Sequence, residues 1–268
     1  MAIYDRFGVG IPFDPDCTLV TSNLISPRAL GIVRLILAVY TLTTLITILV
    51  FEGVVLHTID AFCSYFTDLS YIGLCAYFWV SALHTLAFAS RSQSRGPHTY
   101  PLQEWPRFFQ LLHVLLNTTV YVAPFIVTVV FWVLLADHAF ENRYEAWHNT
   151  SVHILNTSFA FLDILLGRFT PQWSSIPVLL VILVLYIALA YITYATQHFY
   201  TYSFLDPSKK HAYVLVYLLA MLIATLLVLA LVKGLCRLRD RILGEEKRPE
   251  SWAEMGNLND PDRKEGYA

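Results

Sequence analysis

The chain of 268 residues is 56% hydrophobic and 15% aromatic, while only 14% of its residues are charged. Soluble domains carry about 25% charged residues, so this composition excludes an ordinary soluble enzyme, a disordered scaffold and a fibrous protein. The formal net charge of -2 argues against nucleic acid as a partner, since no basic surface is indicated. We therefore predict an all-α polytopic transmembrane helical bundle.

Residues 1–28 contain Asp5, Asp14 and Asp16 but no apolar stretch of the length that a cleaved signal peptide needs, about 7–15 residues. We expect them to form a cytoplasmic N-terminal segment. The four cysteines show no C-x-x-C spacing, so neither a structural zinc site nor a disulfide framework is indicated.

Residues 29–236 are predicted to form the membrane domain. A membrane-spanning helix needs about 20 largely apolar residues, because hydrocarbon offers no partner to a free backbone amide. Six stretches meet this requirement, although the fourth is the least apolar, and a polar cytoplasmic tail follows at 237–268. The predicted spans are 29–51, 66–89, 108–136, 150–169, 176–199 and 212–236.

The distribution of Lys and Arg predicts the orientation. With six spans and both termini in the cytoplasm, fifteen of the eighteen basic residues lie on the cytoplasmic side. The other three, Arg143, Lys209 and Lys210, lie on the opposite side. Arg34 is inside the first span, and we expect its long side chain to reach the cytoplasmic interface.

Polar residues collect near the extracytoplasmic ends of the predicted spans. Thr67 begins the second span, and His153 lies in the first turns of the fourth. Both spans run from outside to inside, so the two side chains lie at similar depth, as a nucleophile and its base would. Threonine also bonds to its own helix, and buried histidine packs, so a structural role stays open. Six histidines share this side: His57, His138, His148, His153, His198 and His211.

A second polar group, nearer the cytoplasmic side, consists of His84, His113 and Asp163. A carboxylate at that depth requires a partner, and we expect Asp163 to pair with one of the two histidines. A structural network, a proton path and a metal site are all compatible with these residue types.

Three short segments resemble the androgen-induced transmembrane hydrolase family. Residues 147–153, W-H-N-T-S-V-H, are similar to the stretch around the essential histidine of that family. Residues 66–67, F-T, resemble the segment with its nucleophilic threonine, and residues 200–205, Y-T-Y-S-F-L, resemble its aromatic W-x-Y-P-F-L segment. Residues 65–71, Y-F-T-D-L-S-Y, are similar to the fungal branch and to the related Rolling stone proteins.

The resemblance implies a membrane-embedded lipid-ester hydrolase near the extracytoplasmic face, with fatty acid esters of hydroxy fatty acids as substrates. Thr67 would be the nucleophile and His153 the base. Apart from the resemblance, Asn149 lies one helical turn before His153 and is expected to orient it or to donate to the oxyanion. The expected substrate-cavity residues are Ser70, Tyr71, Asn156 and Thr157. The implied partners are a lipid substrate and the bilayer, in the endoplasmic reticulum, and the mechanism requires neither a cofactor nor a metal.

Two alternatives stay open at this point. One is a non-catalytic multi-pass membrane protein, such as a scaffold, a receptor or a fusion factor, because the Rolling stone branch is known for cell fusion. The other is a transporter or a metal or haem protein that uses His84, His113 and Asp163. Nucleotide-driven transport lacks support, because the chain contains no Walker motif.

Overall fold

The computed structural model describes residues 2–93, 99–136, 139–208 and 211–244. Within these ranges the chain forms helices and loops and contains no β-strand, which confirms the all-α class. His138, Lys209, Lys210 and the predicted tail beyond Gly244 lie outside the described residues. The first part of that tail, up to Leu243, continues the last helix.

Nine α-helices occur in the described ranges, and five of them are long and apolar enough to cross a membrane. The five are α2, which continues into a π-helical turn at Glu52–Leu56, and α3, α5, α8 and α9. They coincide within a few residues with predicted spans one, two, three, five and six, except that α9 extends beyond its predicted end. The α-helices are α1 (Ala2–Arg6), α2 (Pro27–Phe51), α3 (Phe66–Gln93), α4 (Pro101–Glu104), α5 (Arg107–Leu134), α6 (Arg143–Thr150), α7 (Asn156–Leu166), α8 (Ile176–Gln197) and α9 (His211–Leu243).

The fourth predicted span corresponds to a composite helical stretch. Asn142 caps the start of α6 by accepting a 2.9 Å hydrogen bond from the Glu145 amide. A π-helical turn at Ser151–Leu155 then joins α6 to α7. The stretch is not among the five helices that meet the length and hydropathy requirement, so the count of six spans stays a prediction.

A buried ion pair between Arg34 and Asp163 ties the bundle together. The Arg34 Nε donates to Asp163 at 2.8 Å, and the two side chains are only 1% and 2% exposed. Tyr77 and Tyr121 donate to the same carboxylate at 2.6 and 2.9 Å, and Arg34 also donates to Thr85. The contacts join α2, α3, α5 and α7, and they satisfy a charge that would otherwise be costly to bury.

Arg34 also donates to the carbonyl of Leu19 in the N-terminal segment at 2.8 Å, so its guanidinium joins that segment to the bundle interior. One expectation about these residues is wrong. Asp163 does not pair with His84 or His113, because the guanidinium and two phenols occupy its oxygens.

The N-terminal segment covers one end of the bundle. Asp5 pairs with Arg107 at the start of α5, and Asp14 accepts a 2.6 Å hydrogen bond from Tyr100, which follows α3. Asn23 donates to the carbonyl of Gly244, directly after α9. Its apolar side chains enter the main core, so the segment is an integral part of the described fold.

Candidate active site

A cavity of about 460 Å³ lies at the opposite end of the bundle from the N-terminal segment. It forms where α2 and α5 end, where α3 begins and where the π-helical turn Ser151–Leu155 approaches them. The loop after α8 closes another side. Its polar and aromatic lining consists of Glu52, Thr58, Phe62, Tyr65, Thr67, Asp68, Phe131, His148, His153, Thr201 and Tyr202.

This cavity brings together Thr67 and His153, the two residues that the sequence placed at one depth. Thr67 is the second residue of α3, so it lies among the first amides of the helix, which lack helical acceptors. Its side chain is partly exposed, as a nucleophile that must meet a substrate requires.

The His153 imidazole is held in one orientation by packing. It stacks on Phe131 with ring centroids 3.6 Å apart and planes nearly parallel. Thr128 donates to the backbone carbonyl of His153 at 2.8 Å, and this hydrogen bond holds the π-helical turn against α5. The ring is 5% exposed, and its Nδ1 atom has no hydrogen-bond partner among the described residues. An oriented imidazole with a free nitrogen is a suitable general base.

Tyr202 is a site residue to which sequence reasoning assigned no role. Its hydroxyl lies near the Thr67 side chain, Tyr186 and the backbone of Phe66. Burial raises the pKa of Tyr202 to about 12, so the phenol keeps its proton at neutral pH. The sequence did contain a signal for Tyr202, because residues 200–205 carry part of the family resemblance. A position in a loop does not by itself indicate that Tyr202 contacts Thr67.

The cavity also holds two carboxylic acids, Glu52 and Asp68. Asp68 is only 6% exposed and follows Thr67 directly in the first turn of α3. No Lys or Arg of the described ranges lines the cavity. The described wall therefore carries two acidic groups and two imidazoles but no Lys or Arg side chain.

The other predicted site residues lie around this cavity and do not line it. Asn149 donates to the carbonyl of Ala139 at 3.0 Å. Thr157 bonds to the Thr128 hydroxyl at 2.6 Å, and Asn156 is buried beside them. Tyr71 is buried in the core.

Ser70 lines a second, apolar cavity of about 270 Å³ between α3, α5 and α8. Phe66 and Tyr186 also line it, and the Tyr186 ring packs against Tyr202, with ring centroids 6.3 Å apart, on the side of the first cavity. The polar cavity therefore has an apolar neighbour beyond an aromatic wall.

The second polar group predicted from the sequence is only partly assembled. The rings of His84 and His113 lie 5.7 Å apart, while Asp163 is engaged with Arg34. Among the described residues, no three His, Cys, Asp or Glu side chains are grouped as a metal site would require.

No protein-family model, curated protein or solved structure matches the chain. The geometry of the cavity and the short sequence resemblance are therefore the two observations that bear on function.

Proposed function

We propose that this protein is a membrane-embedded lipid-ester hydrolase in which Thr67 is the nucleophile and His153 the general base. The observation that supports the proposal is that both residues line one cavity, although 86 positions of sequence separate them. The resemblance to the androgen-induced transmembrane hydrolase family selects the same two residues. Membership in that family is part of the proposal.

The chemistry follows from the groups in the cavity. A threonine hydroxyl is scarcely ionised at neutral pH, so it needs a base within about 2.6–3.2 Å when the substrate is bound. His153 takes the hydroxyl proton as Thr67 Oγ bonds to the acyl carbon, and it then protonates the departing alcohol oxygen. His153 next removes a proton from water, whose oxygen bonds to the acyl carbon of the acyl-threonine. As the bond between that carbon and Thr67 Oγ breaks, His153 gives the proton to Oγ, which releases the carboxylic acid and free Thr67.

Negative charge on the carbonyl oxygen in each tetrahedral intermediate requires hydrogen-bond donors. The protonated Tyr202 hydroxyl and the first amides of α3 serve as these donors on the Thr67 side of the cavity. In this mechanism they take the oxyanion role that was expected of Asn149 from its position one helical turn before His153, because the Asn149 side-chain amide donates to Ala139.

The neighbouring apolar cavity is suited to an acyl chain, because its walls offer almost no polar group to compete with hydrocarbon packing. A lipid substrate would reach it from the bilayer. By resemblance, fatty acid esters of hydroxy fatty acids are the first substrate class to test.

We also propose six spans with cytoplasmic termini, in the endoplasmic reticulum membrane. The hydrogen bond from Asn23 to Gly244 supports an even number of crossings, since it joins the two ends of the membrane domain. Arg168, after α7, contacts Thr21 in the N-terminal segment, which supports a crossing by the composite stretch Arg143–Leu166. The organelle rests on the resemblance alone.

The test is covalent labelling of detergent-purified protein with a fluorophosphonate probe, which reacts with activated hydroxyls. We expect the wild type to be labelled and Thr67→Ala and His153→Ala to lose the label. Thr47→Ala is the matched control, because Thr47 is exposed on α2 and bonds only to its own helix. Unchanged labelling of the two site variants, with thermal unfolding intact, would contradict the proposal and favour the non-catalytic alternative.

A further inference from the structure

The charges in the cavity around Thr67 and His153 indicate what kind of ester it accepts. Glu52 and Asp68 line the cavity, and no Lys or Arg of the described ranges lies opposite them. Burial without a cation opposes ionisation of both acids, and a further negative charge beside them opposes it more. A bound group with positive charge therefore favours their ionised form, whereas one with negative charge is repelled by it.

The aromatic side chains of the same cavity are suited to a cation. Tyr65, Phe131 and Tyr202 all line it. The rings of Tyr65 and Tyr202 lie 6.1 Å apart at an angle of 75°, so they form two adjoining walls. Aromatic faces attract ammonium groups, and walls of this kind combined with carboxylates are typical of sites for quaternary ammonium ligands.

Two unsatisfied polar atoms point independently to a missing ligand. Thr201, 8% exposed, lines the cavity, and its hydroxyl has no hydrogen-bond partner among the described residues. The same is true of His153 Nδ1. Buried polar groups are rarely left unpaired, so both atoms are available to polar groups of a ligand that enters the cavity.

We infer that the cavity selects an ester whose alcohol part carries an ammonium group within a few bonds of the ester oxygen. Thr67 and Asp68 both line the cavity, so an ester whose acyl carbon lies at the Thr67 hydroxyl shares that cavity with the carboxylate of Asp68. The inference rests on the proposed function for the ester, but cation binding itself does not require hydrolysis. It disfavours the hydroxy fatty acid esters suggested by the resemblance, because their free carboxylate would enter an acidic cavity.

Three esters that share the same acyl chain but differ in the charge of the alcohol part test this inference. Lauroylcholine is cationic, 3,3-dimethylbutyl laurate replaces its nitrogen with carbon and is neutral, and the lauroyl ester of 4-hydroxybutanoate is anionic. We expect kcat/KM to fall in that order, with about a tenfold or larger advantage of the cation over its isostere. Equal values, or a preference for the anion, would overturn the inference while leaving the hydrolase proposal intact.

Replacing the two acidic side chains of the cavity by amides tests whether they cause the preference for the cationic ester. In the double variant Glu52→Gln/Asp68→Asn we expect the ratio of the cationic to the neutral ester to approach one. Asp60→Asn is the control, because Asp60 lies between Glu52 and Asp68 in the sequence, is exposed and does not line the cavity. In this variant the ratio of the cationic to the neutral ester should stay at the wild-type value. A ratio that survives in the double variant would contradict the role of these carboxylates.

Binding separates the inference from the proposed catalysis. In Thr67→Ala, lauroylcholine should raise the midpoint of thermal unfolding more than its neutral isostere, and adding Glu52→Gln/Asp68→Asn should abolish the difference. If no ester is hydrolysed but this difference is present, cation recognition stands and the hydrolase proposal fails. If lauroylcholine stabilises the protein no more than the isostere does, the inference is wrong.

Discussion

At the scale of single residues, the ion pair between Arg34 and Asp163 is the most stringent requirement of the fold. Asp163→Ala leaves a buried guanidinium without its counter-charge, so we expect the free energy of unfolding to fall by about 3–5 kcal/mol. Chemical denaturation of the purified protein in detergent measures the change.

The exposed pair between Arg91 and Glu104 provides the control for this prediction. Both side chains are in contact with solvent, so Glu104→Ala should change stability by about 1 kcal/mol or less. Similar losses in the two variants would show that Arg34 and Asp163 do not act as a buried pair.

The sequence predicted part of this residue-level picture. Helical spacing and topology were sufficient to place Thr67 and His153 at one depth. The partner of Asp163 was not predictable in this way, because it lies 129 positions away and depends on the rotation of α2 about its axis. Tyr202 was missed as a site residue for the same reason, since only the folded loop brings it to α3.

At the scale of elements, the π-helical turn Ser151–Leu155 determines where His153 lies. Thr128 on α5 supports this turn, since its hydroxyl contacts both the His153 carbonyl and the Thr157 hydroxyl. We expect Thr128→Val to cost about 1–3 kcal/mol of stability. We also expect the hydrolysis rate to fall several-fold, because the imidazole loses its support.

Thr118→Val on the same helix is the matched variant, because Thr118 is buried and bonds only to the carbonyl of Val114. It should lower the rate less than Thr128→Val, as measured by initial rates at saturating ester. An equal decrease in the two variants would mean that Thr128 has no specific role in positioning His153.

The polar side chains that made the fourth predicted span the least apolar are those that the structure uses in hydrogen bonds around this turn. Hydropathy therefore detected that the stretch is unusual. It did not predict a π-helical turn, because that feature depends on contacts with α5 and not on local propensity.

At the scale of the whole molecule, the described termini of the membrane domain should lie on one side of the membrane. Ile11 and Ile242 are 73% and 71% exposed, at the two ends of the chain that Asn23 and Gly244 join. In sealed microsomes, an impermeant maleimide should label Ile11→Cys and Ile242→Cys, each made in a Cys63→Ser background, without permeabilisation.

The native cysteines extend this measurement. Cys63 is exposed at the opposite end of the bundle, so it should react only after the membrane is permeabilised. Burial, reinforced by the nearby charge of Asp14, raises the pKa of Cys17 to about 12, so this thiol should stay unlabelled at neutral pH. Labelling of Ile11→Cys and Ile242→Cys from opposite sides would contradict an even number of spans.

Composition and hydropathy were enough to predict the all-α class and the positions of the five long apolar helices. They did not predict that the N-terminal segment packs into the core, because its prolines and aspartates are typical of a solvent-exposed segment. Its fixed position follows from side-chain contacts with residues that are distant in sequence, such as Arg107 and Tyr100.

In the proposed mechanism, Thr67 becomes acylated during ester hydrolysis. Purified protein would be mixed with a lauroyl ester, quenched in acid and digested, and the peptide that contains Thr67 would be examined by mass spectrometry. We expect a lauroyl group on Thr67 in the wild type and none in His153→Ala. An unmodified Thr67, together with hydrolysis that persists in Thr67→Ala, would contradict the proposed acyl-threonine mechanism.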